Sequence, residues 1–371
     1  VADSNGNPSE LTLRRVLVIG TGLMGTSLAL ALREAGIETR LHDIAVGRLA
    51  LAVERGAGVP HDEDLDGGYD IAVLAIPPDA VAGELLRYQR LGVARSFTDV
   101  ASVKSKPLAE AEKIGADMTT FVGGHPIAGR ERSGPAAAHP DLFVGRPWVI
   151  TPTPAAGEEA IAAVRALAVA AGATPVVMTA EEHDAALALV SHLPHLLASV
   201  LAAQLVDAPR DFTALAGTGL QDVTRIAAGD PQLWTEILAA NADHLLGYLE
   251  RFQQRLQDAA AYVARIARGD AAATTALTEL LRTGVQGRLR VPVKRGEPAA
   301  GFATVAVTIR DAPGELAALL RALAEAGINV EDVRVEHEPG RPVGVVELDV
   351  REDKAQALIR CVRDAGWQLY V

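Results

Sequence analysis

Three clusters of residues in this 371-residue chain have the types and spacing needed to move a proton or grip a small acid. The first is Asp99-Val100-Ala101-Ser102-Val103-Lys104-Ser105-Lys106, where the Ser102 hydroxyl is placed to orient a neighbouring base. Residue types alone equally allow a helix cap with a basic turn there. The second is Gly123-Gly124-His125-Pro126-Ile127-Ala128-Gly129, read as a loop in which small residues crowd a histidine. A neutral imidazole accepts a hydroxyl proton near neutral pH, and glycines let backbone and ligand approach closely. His125 is therefore the candidate general base. The third cluster pairs His192 and His195, three apart on a helix that Pro194 must kink, with Asp222, Arg225 and Trp234 further along. Arg225 suits bidentate capture of a carboxylate, with Asp222 holding it. Core histidines and a surface ion pair are the alternatives on residue type. No carboxylate or cysteine at ligand spacing completes a metal site with the two histidines, so no metal is expected.

An oxidant is implied nearer the N-terminus. The run Val16-Leu17-Val18-Ile19 leads into Gly20-Thr21-Gly22-Leu23-Met24-Gly25 and then a helix-like segment, giving the glycine pattern its strand and helix context. Gly20 suits a tight turn, Gly22 close approach of a pyrophosphate, and Gly25 close packing of helix on strand, with helix N–H groups as donors. Leu23, Met24, Ile76 and Ser102 complete the expected cofactor surface. Asp43, 18 residues past Gly25, is placed to accept the adenosine ribose hydroxyls, which favours NAD. Arg40 and Arg48 nearby keep NADP as the alternative.

These groups need a scaffold of alternating strands and helices. Short β-branched runs at residues 15–19, 39–42, 71–76, 96–99, 121–122, 148–150 and 175–178 alternate with alanine-rich amphipathic segments, the pattern of βαβ units around a parallel sheet. Beyond a capping box at Thr179 and Glu182, only helix is expected to about residue 282, apolar on several faces as at a subunit interface. Residues 286–300 read as a linker. Residues 301–371 follow in the order strand, helix, strand, strand, helix, strand, which is ferredoxin-like. The expected organisation is thus a polar tail of about ten residues, an α/β domain over 11–179, a helical domain over 180–285, the linker, and a small α/β domain over 301–371.

A net charge of −12 disfavours nucleic acid or an anionic membrane as partner. No apolar run approaches the ~20 residues of a membrane span, and the opening residues lack the pattern of a signal peptide. Cys361 stands alone, so no internal disulfide forms. These features point to a cytosolic protein with small-molecule partners.

In their order and spacing, GTGLMG, DVASVKSK, GGHPIAGRERSG, SHLPH and DVTRIAAGDPQLW resemble the prephenate and arogenate dehydrogenase family over roughly residues 15–285. Asp311-Ala312-Pro313-Gly314 and Gly327-Ile328-Asn329 make the C-terminal unit similar to ACT domains. The resemblance implies a Rossmann domain, an all-helical dimerisation domain and hence a homodimer. It also implies NAD-dependent oxidative decarboxylation of prephenate to 4-hydroxyphenylpyruvate and carbon dioxide. His125 would then take the proton of the ring hydroxyl and Ser102 would orient it. His192 and His195 would line the site, Arg225 would bind a substrate carboxylate, Asp222 and Trp234 would support Arg225, and Gly124 and Gly129 would keep the loop tight. Asp311, Pro313, Gly314 and Asn329 would hold an amino-acid effector, tyrosine first among them, unless that unit is only structural.

Arogenate, with an amine in place of the keto group, shares the reacting ring and is the alternative substrate. An amino-substituted prephenate analogue is a more distant one, since His125 suits a ring hydroxyl. The β-hydroxyacid dehydrogenases resemble the chain only at its glycine turn and rely on a lysine in the helical domain. None occurs here between Lys113 and Lys294. A non-catalytic NAD or amino-acid sensor is the rival from another class.

Overall fold

Arg15–Ile19 forms β1, a strand buried on both faces: Val16 and Val18 enter one core, Leu17 and Ile19 another. A near-continuous apolar run is what a central parallel strand requires. The computed structural model describes residues 11–62, 67–129, 133–291, 301–337 and 342–370. It divides into two units, Val1–Phe252 and Gln253–Val371.

The first unit continues through α1 (Leu23–Glu34), β2 (Glu38–His42), α2 (Val46–Glu54), β3 (Val59–Pro60), β4 (Tyr69–Leu74), α3 (Pro78–Leu91), β5 (Ala94–Asp99) and α4 (Ser105–Lys113). Its five strands pair in parallel in the order β3-β2-β1-β4-β5. Side chains of α1 pack into the core on one face, those of α3 and α4 into the core on the other. The chain reverses direction across the sheet between β1 and β4, so the loops after these two strands open the crevice where such sheets bind ligands. The short edge strand β3 has no counterpart among the expected strands.

A second sheet holds β6 (Gly123–Pro126), β7 (Pro147–Thr151) and β8 (Thr174–Val177), with α5 (Glu158–Ala170) between the last two. The expectation of a loop around His125 is corrected here: His125 lies in β6 and pairs with Val149, antiparallel, within an otherwise parallel pattern. Among the described residues the isolated bridge Phe97–Phe121 joins this sheet to β5 by backbone pairing. Gly123 and Gly124 mark a close approach rather than a turn. A Cβ on Gly124 would stand 2.7 Å from the Asp99 carbonyl oxygen and 2.9 Å from Trp148 Nε1.

Helices follow: α6 (Ala180–Leu187), α7 (Leu193–Ala203), α8 (Arg210–Thr213), α9 (Thr218–Thr224), α10 (Pro231–Ala240) and α11 (Ala242–Ile266), the last crossing the division between units. Thr179 and Glu182 do form a capping box on α6. Between α6 and α7 the chain makes a π-turn, Ala188–His192. The expected kink at Pro194 is thus realised one turn earlier, as a widening that accommodates the missing proline donor. By length and apolarity Ala180–Ala203 would suffice to cross a membrane, contrary to the sequence reading. Four polar side chains on it, His183, Asp184, His192 and His195, are buried against protein.

In the second unit α12 (Ala271–Leu289) precedes β9 (Phe302–Arg310), α13 (Glu315–Glu325), β10 (Asp332–His337), β11 (Val343–Arg351), α14 (Glu352–Asp364) and β12 (Gln368–Leu369). The antiparallel order β10-β11-β9-β12 is that of a ferredoxin-like βαββαβ sheet. Helix α12 occupies the start of the expected linker, because Gly284 and Gly287 do not end it. Residues 292–300 of that linker, Val371 of the last expected strand, and Arg130, Glu131 and Arg132 of the second motif lie outside the described residues.

One buried ion pair holds β6 in place. Asp99, ending β5, meets Lys104, just before α4, and both side chains are 1% exposed. Lys104 Nζ donates to the Gly124 carbonyl at 2.8 Å, while Asp99 Oδ1 accepts the Gly124 N–H at 3.1 Å. Burial drives the lysine pKa down, and Asp99 opposes that shift. Lys104→Met leaves Asp99 buried and unpaired, which is expected to cost about 3–5 kcal/mol. Adding Asp99→Leu should recover much of the loss. Urea unfolding checks this, and a single-variant loss below about 1 kcal/mol would contradict the pinning role.

Candidate active site

At the glycine turn two positions exclude any side chain. Gly20 has φ +97°, and a Cβ on Gly25 would lie 1.9 Å from the Gly20 carbonyl oxygen. Gly22 differs: a Cβ there would meet nothing in the protein, so what glycine leaves room for at this position lies outside the chain. It opens α1 with no side-chain cap, leaving N–H groups for an anion. Leu23, Met24 and Ile76 are half-buried around the turn. Asp43 accepts from Thr21 N at 2.7 Å, Thr21 Oγ1 at 2.9 Å and Ala45 N at 2.7 Å, with Arg48 at 3.4 Å. Burial resists its charge, but these bonds and Arg48 outweigh it, so its pKa falls. The carboxylate therefore shapes the turn. This open, uncapped cradle fits a dinucleotide.

The histidine cluster forms around β6 and α6. His125, 7% exposed, has Nδ1 at 2.8 Å from His183 Nε2, and His183 Nδ1 lies 2.7 Å from Asp184 Oδ1. Asp184 also accepts from Lys104 N and Ser105 N, each at 2.8 Å. Burial opposes its charge, yet hydrogen bonds from His183, Ser105 and Lys104 lower its pKa to about 2. The carboxylate is an acceptor only, so His183 Nδ1 carries a hydrogen, and in the neutral ring Nε2 carries a lone pair. His125 Nδ1–H must then be the donor to His183. Nε2 is the nitrogen left free to accept. Burial first, then His183, Lys104 and His192, hold the His125 pKa well below 6.5, with Asp184 opposing.

His183 and Lys104 were missed from sequence. The signal was a His-Asp pair on an apolar helix, and a lysine among so few.

His192 and His195 come together with Trp234. The His195 ring stacks on the indole at 3.5 Å between centroids, and His192 stands edge-on at 6.4 Å. Gly229 is required beneath them, since a Cβ would lie 2.5 Å from Trp234 Nε1. Asn241 Nδ2 bridges the Asp184 carbonyl at 2.8 Å and His192 Nδ1 at 3.0 Å. His192 Nε2–H is thereby left buried without a partner. Burial lowers the His192 pKa to about 4, His183 adding to the shift and Asp184 opposing it. Burial lowers that of His195 as well.

Other expected roles are corrected. Ser102, half-buried, makes no hydrogen bond to His125, whose Nδ1 is taken by His183. Asp222 and Arg225 are both exposed, and Asp222 forms no ion pair with Arg225. The Arg225–Ala228 turn nonetheless packs on α7, which carries His195. Gly129 is exposed with open space at its Cβ, so packing does not demand glycine there. In the second unit Asp311, Pro313, Gly314 and Asn329 are exposed at the ends of α13, Gly314 with φ +90° and Asn329 bonded to Glu331 at 2.7 Å.

The chain matches the family described as prephenate dehydrogenase, nucleotide-binding domain, over residues 28–177, and that described as prephenate dehydrogenase, dimerization domain, over residues 179–283. A probable prephenate dehydrogenase of Streptomyces niveus is 37% identical over 96% of this chain and 99% of its own length. Prephenate dehydrogenase of Aquifex aeolicus, solved with hydroxyphenyl propionate and NAD+, superposes with a TM-score of 0.67 at 29% identity, covering 76% of this chain and 100% of that one. Arogenate dehydrogenase of Synechocystis does so with a TM-score of 0.60 at 29% identity, covering 74% and 98%. A glycine turn fit for a dinucleotide, a buried histidine pair and these matches agree, and the chain belongs to the prephenate dehydrogenase family, with a Rossmann-like domain followed by a helical dimerisation domain.

Proposed function

We propose that the protein is an NAD-dependent prephenate dehydrogenase that converts prephenate to 4-hydroxyphenylpyruvate and carbon dioxide. The observation that carries this reading is His125: neutral, buried, its Nδ1 engaged by His183 and its Nε2 available as a proton acceptor. The dinucleotide, when bound at Gly20–Gly25 with Asp43 toward its ribose and Ile76 beside it, supplies the hydride acceptor. His125 Nε2 takes the ring-hydroxyl proton as the C4 hydride leaves. Loss of the ring carboxylate then yields an aromatic ring, which supplies the driving force. Ser102, without a hydrogen bond of its own, orients the substrate, and the orphaned His192 Nε2–H donates to it. His195 and Trp234 form an apolar wall, and Arg225 binds a carboxylate. The site thus supplies position and one proton acceptor.

The protein is proposed to act as a homodimer, supported by the dimerization-domain match and by exposed Val190, Val206, Phe212 and Leu215 in the helical region. The second unit is proposed to be an ACT-type domain that binds an amino acid such as tyrosine around Gly314. Arogenate remains the second substrate reading, since relatives include an arogenate dehydrogenase.

NADH formation followed at 340 nm with prephenate or arogenate, each with NAD or NADP, is expected to give the highest kcat/KM for prephenate with NAD. No turnover of either substrate would defeat the enzyme reading. His125→Asn should leave NAD affinity intact and lower kcat on the order of 100-fold or more, and near-normal turnover would remove His125 from the mechanism. His125 acts only when neutral, so kcat falls as pH drops through its pKa. Because that pKa is held well below 6.5, the acid limb should lie well below pH 6.5, and a half-loss at or above it would contradict the assignment.

A further inference from the structure

A buried base with a depressed pKa has a difficulty of its own: it accepts a proton poorly and holds the resulting charge worse. Around His125 the charged and titratable groups are His183, Lys104 with its partner Asp99, His192 and Asp184. Among the described residues it is the Asp184 carboxylate that favours a positive imidazole, and it contacts His183, not His125. The three groups form a continuous line of hydrogen bonds of 2.8 and 2.7 Å.

We propose that His183 is a proton-relay residue that takes up the substrate proton through His125 and holds it during the reaction. This rests on the reading of His125 as the base. As the ring-hydroxyl proton passes to His125 Nε2, the Nδ1 proton of His125 passes to His183 Nε2. His125 ends neutral in its other tautomer, and the positive charge sits on His183, 2.7 Å from the Asp184 carboxylate. Meanwhile the C4–H bonding pair leaves as hydride to the dinucleotide. The bond to the ring carboxylate breaks, its electron pair enters the ring, and the proton returns along the same line to the ring oxygen, giving the phenol. One proton is lent and returned, so the relay needs no exit. Apolar walls favour this arrangement, because charge moves toward the carboxylate that can stabilise it rather than staying beside Lys104.

The discriminating variant is His183→Gln. Its side-chain oxygen can accept from His125 Nδ1, which keeps the ring oriented, but it cannot take a proton at neutral pH. With prephenate and NAD, kcat is expected to fall on the order of 100-fold, with KM and NAD affinity unchanged within about twofold. The acid limb of kcat should also move to higher pH, because the His183 contribution that lowers the His125 pKa is gone. A kcat within about threefold of the parent and an unmoved limb would overturn the relay while leaving the base intact. Near-normal turnover in His125→Asn would instead overturn the base reading. Should His183→Gln fail to bind NAD, the unaltered protein decides. Single-turnover NADH formation across mixtures of light and heavy water should bow downward for coupled transfers, and a straight line would overturn the proposal.

Discussion

The site depends on Asp184. Its carboxylate accepts from Lys104 N, Ser105 N and His183 Nδ1, and its carbonyl oxygen accepts from Asn241, so one residue ties α6 to the start of α4 and the end of α10, and through His183 reaches His125 on β6. A buried charge survives only when such donors replace water. They do so here to the point of lowering its pKa to about 2. Losing the start of α4 or the His183 ring would leave this charge underpaired, so the fold and the catalytic geometry share a single constraint. The Asp99–Lys104 pair repeats the device for the two backbone groups of Gly124.

Much of the fold was legible because it is periodic. β1 was read to the residue, since a strand buried on both faces leaves an unbroken apolar run, and the C-terminal order followed from alternating strands and amphipathic helices. The glycine turn was legible because its demands are local. β6 was not, because Gly123, Gly124 and Pro126 look like a loop until the neighbours at Asp99 and Trp148 are known. The π-turn before Pro194 and the run of α12 through two glycines also escaped, since packing outweighed local propensity.

The site divided along the same line. Residue types identified His192, His195 and Trp234, which do come together, and His125, close enough to His192 to feel its charge. Their partners were read less well: Ser102 was assigned to His125 where His183 stands, 58 positions away, and Asp222 was assigned to Arg225, which it does not pair with. Partners at such separation leave no spacing signal. What replaces it is chemical: a His-Asp pair on an otherwise apolar helix is costly to bury, and its cost is met by forming the site.

Asp184, through His183, sets the tautomer of His125 and so chooses which nitrogen meets the substrate. Imidazole nitrogen NMR of the resting protein at neutral pH addresses it directly. The expected result is a hydrogen on His125 Nδ1, a bare Nε2, and a hydrogen on His183 Nδ1. A hydrogen on His125 Nε2 in the neutral ring would contradict it.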